Sequence, residues 1–220
     1  MCLVSFAPRN GHYVLTSNRD ESTSREKPLA VTSYTHNPKN LTYPKDIAGG
    51  TWIAHDNHNN GIILLNGAYQ KHVRASSYRK SRGLIVLELL SSPDPLQAWK
   101  DIELHNIEPF TLVHFTENKK LYDHVWDGHT KTSNQLDIHK GHMWMSATLY
   151  TRDYYSIIKK RFDTINLNDS EALHQFHSTH LYQDNTQDYI IPVIKTVSIS
   201  TMTMHEGKTS LSTIDHRTTS

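Results

Sequence analysis

The chain opens Met1-Cys2-Leu3-Val4-Ser5-Phe6-Ala7-Pro8-Arg9-Asn10-Gly11-His12-Tyr13-Val14-Leu15-Thr16-Ser17-Asn18-Arg19-Asp20. Residues 2–7 are apolar and β-prone, residues 8–11 form a turn cluster, and residues 12–18 return as a second strand, so the stretch reads as a hairpin. If Asn10-Gly11 is a two-residue type I′ loop, Arg9 pairs with His12 and Cys2 falls opposite Arg19. If residues 8–11 are instead a four-residue loop, Cys2 pairs with Ser17 and Arg19 lies beyond it. Side chains alternate with period two, so both registers put Cys2 and Arg19 on the same sheet face.

That face has chemical content. Cys2 is the chain's only cysteine. A small residue after the initiator methionine favours removal of Met1, which would leave a cysteine with a free α-amine. Nucleophile and base then reside in one residue, the amine titrating near about 7.7–8.0 and the thiol near about 8.5. A guanidinium at Arg19 would favour thiolate and could also fix a substrate carboxylate. Asp20 is expected to hydrogen-bond the new α-amine where the strand ends and bends.

Outward from the hairpin, residues 22–48 read as a polar, proline-bearing excursion. Residues 51–54 and 61–66 form another hairpin around Asp56-Asn57-His58-Asn59-Asn60. Residues 71–82 are basic and flexible. Residues 84–90 and 95–104 have helical spacing, with Asp94 and Pro95 as cap and first-turn residue. Residues 110–116, 120–127 and 143–149 are strand-like, residues 151–162 and 170–181 helical, and residues 193–205 and 209–215 a closing hairpin. Elements that come in blocks rather than in strict alternation argue for an α+β protein with antiparallel sheets carrying helices, and against a doubly wound parallel sheet. No repeat or linker divides residues 1–220, so a single domain is expected.

Composition excludes several classes. One cysteine forms no internal disulfide and no thiolate zinc cluster. With 23 Lys+Arg against 22 Asp+Glu the formal charge is +1, which gives no electrostatic footprint for a nucleic-acid partner. No apolar run reaches the length of a membrane span and no signal peptide is evident, so a cytoplasmic protein is expected. No stripe argues for a dimer, and the oligomeric state is left open.

Asn18-Arg19-Asp20-Glu21 following Met1-Cys2-Leu3-Val4 resembles the NRDE family, also called the transport and Golgi organisation family. The resemblance continues through Ala48-Gly49-Gly50-Thr51-Trp52, Leu65-Asn66 and Ser81-Arg82-Gly83, and it covers about the first 90 residues well. It implies a four-layer αββα sandwich of the N-terminal-nucleophile hydrolase kind, related to choloylglycine and penicillin-V acylases. By that resemblance Cys2 is the nucleophile, Arg19 and Asp20 orient the site, and Asn66 belongs to the oxyanion hole. A side-chain amide donor to a developing oxyanion contributes about 10²–10³ in rate. Asn18 and Arg82, inside the same motifs, are expected at the substrate. Acylase relatives add a second asparagine from a later strand. Here that region reads Trp144-Met145-Ser146-Ala147-Thr148-Leu149-Tyr150, and Ser146 or Thr148 offers a hydroxyl in its place.

The expected activity is an N-terminal-cysteine amidohydrolase or acyl transferase acting on an amide or thioester of a small molecule, without cofactor or metal. The alternative is a carrier whose cleft binds a lipid-like, acyl-CoA or haem-type ligand without chemistry, which the family's association with lipid and haem homeostasis keeps in view. The basic residues between Lys71 and Arg82 could receive a carboxylate or phosphate, or form an ordinary solvated loop. His174, His177 and His180 recur every third residue on an expected helix. That step drifts around a 3.6-residue turn, so the three do not face one ion and read as an exposed or amphipathic helix. Asn40-Leu41-Thr42 and Asn168-Asp169-Ser170 match the glycosylation pattern but lack a secretory context.

Overall fold

The computed structural model describes residues 3–22, 26–36, 38–180 and 194–217. Its strands form two antiparallel sheets. The five-stranded sheet has the order β10 (His142–Met145), β1 (Leu3–Arg9), β2 (His12–Ser22), β11 (Ile194–His205), β12 (Lys208–Asp215). The seven-stranded sheet runs in sequence order: β3 (Val31–His36), β4 (Lys39–Pro44), β5 (Ile53–Asp56), β6 (Gly61–Asn66), β7 (Phe110–Phe115), β8 (Leu121–Trp126), β9 (Lys131–Leu136).

Strand alternation sorts the apolar side chains into three layers. Val4, Phe6 and Leu15 meet Ile53, Ile63 and Val113 between the sheets. Leu41, Ile62, Leu64 and Leu112 turn outward and are covered by α1 (Arg82–Ser91) and α2 (Pro95–Asp101). Leu3, Ala7 and Val14 turn the other way and are covered by α3 (Arg152–Asp163) and α4 (Ser170–Thr179). The order is helices, sheet, sheet, helices: the expected αββα sandwich.

Local chemistry explains most of the elements. Asp94 accepts from Leu96 N and Gln97 N, and Thr151 and Asp169 cap α3 and α4 in the same manner. Arg9 pairs with His12 and Leu3 with Asn18, which is the register of the two-residue loop. Of the two loop residues only Gly11 has a positive φ, 82°, so the turn is not type I′ although its length and register are those of one.

Two expectations need correction, and one strand, β9, was not expected. The excursion over residues 22–48 contains the β3–β4 hairpin. β9 has no apolar alternation for a sequence reading to find, because it is an edge strand with exposed middle residues. The strand expected over residues 143–149 stops at Met145. Leu149 N and Tyr150 N both donate back to Ser146 O and close a turn. No helix among the described residues is long and apolar enough to cross a membrane.

Candidate active site

Cys2 lies outside the described residues. The ladder it would continue is described up to its last rung, Leu3↔Asn18, and the residues beyond that rung on β2 diverge at once. Arg19 shares the inter-sheet face of Leu15, whereas Asn18 and Asp20 face α3 and α4.

On the inter-sheet side, Arg19 is the largest fully buried side chain, 1% exposed. Its guanidinium carbon sits 4.8 Å from the centroid of the Trp52 ring, and its Nη2 lies 3.0 Å from Glu21 Oε2 and 3.7 Å from Asp46 Oδ1. A buried cation of this size persists because it is ion-paired and stacked. It lines a cavity of about 440 Å³, whose other walls include residues of the short motifs singled out in the sequence (Ala48, Gly50–Trp52, Asn66 and Ser81–Gly83) together with the basic loop over residues 74–80 and the carboxylates Glu21, Asp46 and Glu108.

Backbone contact explains why two of those motifs need glycine. A Cβ on Gly50 would stand 2.7 Å from Gly83 C, and a Cβ on Gly83 2.8 Å from Thr51 O. Thr51 N donates to Gly83 O at 3.2 Å across the same contact. The start of α1 is therefore docked directly on the lead-in to β5, and this holds Trp52 over Arg19. Trp52 Nε1 is buried and has no hydrogen-bond partner among the described residues. The side-chain amide of Asn66 is likewise not engaged by any described residue. Two donors are thus left unspent at one cavity, and neither composition nor spacing marks Trp52 as one of them.

The basic stretch is largely consumed in holding its own loop. Arg79 donates to Glu103 O and His105 O, Lys80 pairs with Glu88, and Arg82 reaches Glu108 at 3.1 Å and Pro109 O at 3.1 Å. Arg74, 77% exposed, lies 3.9 Å from Glu108.

On the other side of β2 the surroundings are closed. Asp20 accepts from Thr196 Oγ1 at 2.6 Å and Tyr150 OH at 2.6 Å, and its Oδ2 lies 3.1 Å from His180 Nε2. Burial works against the carboxylate charge. The facing His180 and the hydrogen bonds from His180, Thr196 and Tyr150 outweigh burial, so Asp20 sits below the usual carboxylate range.

Asn18 lines neither this cavity nor the second one described below. Its Nδ2 donates to His177 O at 2.7 Å, which turns Oδ1 toward His177 Nδ1. His177 Nδ1 therefore carries the proton, and Nε2 accepts from Ser5 Oγ at 2.7 Å. Burial first, and the neighbouring His180 second, push His177 down to about 3, with Asp20 pulling the other way.

His177 and His180 are thus fully buried, 0% exposed, and form part of the core. Of the two readings of the His174–His177–His180 series, an exposed or an amphipathic helix, the amphipathic one holds, with His177 on the buried face. No group of three or more metal-ligating side chains occurs among the described residues.

Ser146 and Thr148 line a second cavity of about 680 Å³, between the edge strand β10, the turn that follows it and the inner face of β6–β8. Ser146 Oγ donates to Asn66 O at 2.7 Å and lies 2.9 Å from Thr148 Oγ1. Gly67, at φ +84°, packs so tightly there that a Cβ would stand 2.8 Å from Thr148 Cγ2. The second cavity is therefore tied to the first at the end of β6: Leu65 lines one, Asn66 the other.

An αββα sandwich with a polar cleft beside the N-terminal strand is the architecture of N-terminal-nucleophile hydrolases, and solved structures of that class share this fold. A conjugated bile acid hydrolase from Clostridium perfringens superposes with a TM-score of 0.55 over 97% of this chain and 92% of its own, at 9% identity. Penicillin V acylase from Agrobacterium tumefaciens does so with a TM-score of 0.54 over 99% and 87%, at 7% identity. At such identities the likeness is one of fold. None of the curated proteins matches the chain in sequence. The family model for Transport and Golgi organisation 2 matches residues 1–215, and the chain belongs to that family.

Proposed function

We propose that the protein is an N-terminal-cysteine amidohydrolase or acyl transferase acting on a small-molecule amide or thioester. The observation that carries this reading is the β1–β2 register. One further rung beyond Leu3↔Asn18 would set Cys2 opposite Arg19, on the face of Val4 and Phe6; Arg19 lines the 440 Å³ cavity. The fold is shared with a hydrolase of conjugated bile acids and an acylase of penicillin V. A second bile acid hydrolase structure has its second residue, a cysteine, replaced by alanine, so that protein carries a cysteine at the same place in its chain.

In the proposed reaction, loss of Met1 frees the α-amine of Cys2. The amine takes the thiol proton as Sγ adds to the carbonyl carbon, then passes it to the leaving nitrogen as the C–N bond breaks. A thioester remains on Cys2, and water or a second amine releases it and restores the thiol. Asn66 supplies a side-chain donor for the oxyanion, Arg19 favours thiolate, and Asp20, held ionised by its donors, orients the amine. Ser146 acts through Asn66, because its hydroxyl is spent on the Asn66 carbonyl. Arg82 braces the cleft wall by its ion pair with Glu108.

The chain has one thiol, so a thiol-directed acyl electrophile reports on Cys2 alone. Intact mass is expected to show loss of Met1 and one acyl adduct per chain, abolished by Cys2→Ala. Retention of Met1, or no adduct on protein with a verified free Cys2 amine, would sink the reading.

The second reading is a carrier of a lipid-like, acyl-CoA or haem-type ligand, favoured by the size and apolar walls of the second cavity. A Cys2→Ala protein that binds its ligand and works as before would decide for it.

A further inference from the structure

The second cavity has a composition the reaction above does not use. Met143, Trp144, Met145, Leu149, Tyr155 and Leu65 line it, with Val125 at its floor. At about 680 Å³ it falls within the range of cavities that hold small-molecule ligands, about 300–1,000 Å³. It is a gap between layers: β10 pairs with β1 on one side only, and the turn that ends β10 at Ser146 leaves the inner face of β6–β8 open beneath it. The Ser146 hydrogen bond to Asn66 O and the Gly67–Thr148 contact join it to the cavity that holds Arg19, Trp52 and Asn66.

The two cavities differ in character. In the first, Glu21, Asp46 and Glu108 pair with Arg19, Arg74 and Arg82, and among the described residues the indole N–H of Trp52 and the Asn66 amide are left as donors. Those donors suit a hydrogen-bond acceptor. The second is the more apolar: its sulfur, aromatic and aliphatic surface suits hydrocarbon or a ring system, with Lys71, Asp123 and Arg152 also among its lining residues.

Resting on the proposed reaction at Cys2, we infer that the substrate is an amide of a hydrophobic carboxylic acid with a polar, acceptor-bearing amine. Its acyl group lies in the second cavity and its amine portion in the first. The orientation follows from the chemistry. The acyl group stays on sulfur after the C–N bond breaks and is held best where its surface is buried, at about 25 cal/mol per Å² of apolar area removed from water. The departing amine carries the transferred proton and leaves through the polar cavity. Water enters by the same route and adds to the thioester carbonyl, and the acid is released as the thiol regains its proton.

The test uses mature protein with Met1 loss verified by intact mass. Straight-chain p-nitrophenyl esters from acetyl to decanoyl are the probes, with nitrophenol release and the acyl adduct on Cys2 measured together. The second-order rate constant is expected to rise at least tenfold from acetyl to octanoyl. Ala147→Trp and Leu149→Trp, which place an indole in the cavity, should bring the octanoyl-to-acetyl ratio toward one. Tyr155→Ala should move the optimum to longer chains. Circular dichroism and thermal midpoints accompany each variant, and Tyr155→Ala, at a side chain 36% exposed, keeps the test available if a tryptophan variant fails to fold. Equal rates for acetyl and octanoyl esters, with Cys2 acylated, would overturn the acyl-cavity assignment and leave the nucleophile standing. So would a chain-length preference unchanged in all three variants. No adduct from any ester would overturn both.

Discussion

Arg19 and Asp20 are neighbours in sequence and lie in opposite worlds. Arg19 faces a cavity that water and ligand can enter, and its partners Glu21 and Asp46 line the same space. Asp20 faces a closed network of Tyr150, His180 and Thr196, joined through His177 to Asn18 and Ser5. One ionisable group borders an open cavity. The other is enclosed by the protein. A strand offers this contrast at no cost in chain length, because successive residues alternate between faces.

The largest test of the contrast is acid. Burial, first of all, holds His177 and His114 at about 3, and His124 likewise, with His114 as its second influence. These folded-state values lie below the unfolded value near about 6.5. The unfolded chain therefore binds more protons between the two, and stability present above about pH 6.5 is lost as pH falls toward 3. Each histidine contributes on the order of 1 kcal/mol per pH unit in that window. The lowered Asp20 adds loss in the same direction, below its ordinary range. Urea midpoints from pH 7 to 4 should fall steeply from about 6, and His177→Gln should flatten the curve. A flat profile down to pH 4.5 would contradict the closed, neutral state of these rings.

Next in size are the two neighbours themselves. Asp20→Ala strands the donors of Tyr150, His180 and Thr196 where no water enters, and a loss of about 3–5 kcal/mol is expected in chemical denaturation. Arg19→Ala opens onto a cavity in which water can solvate Glu21 and Asp46, so a smaller loss, about 2 kcal/mol, is expected. Equal losses would erase the distinction between the faces.

An effect of the same size as that of Arg19→Ala is expected for Gly83→Ala. Its Cβ would meet the backbone of Thr51, which has no flexible end to yield, and overpacking of this kind costs about 1–3 kcal/mol. Because α1 and the Trp52 segment must part, ester reactivity at Cys2 is expected to drop along with the thermal midpoint.

Much of this was legible in the sequence because it depends on local rules. The Asn10-Gly11 loop set the register of β1 and β2, Asp94, Thr151 and Asp169 announced three helix starts, and the blocked order of elements foretold layered antiparallel sheets. Of the residues singled out for the site, Arg19, Asn66 and Arg82 line one cavity, Ser146 and Thr148 line the other, and Asn18 lines neither. β3 and β9 were not legible, since edge strands with solvent on one side need no apolar alternation, whereas the interior strand β4 does carry it in Leu41 and Tyr43, within a stretch otherwise polar. The roles of His177 and His180 were hidden for a related reason. A histidine every third residue looks the same whether the helix face meets water or a buried aspartate 160 residues away.

What the sequence determined by itself was pairing distance and parity: which residues share a face and where helices begin. Tertiary packing alone decided which face opens and which closes. It put α3 and α4 over Asp20, left a polar cavity over Arg19, and ended β10 early enough to leave an apolar one beside Asn66. Those outcomes depend on desolvation, and desolvation is a property of everything that surrounds a residue rather than of the residue and its neighbours in the chain.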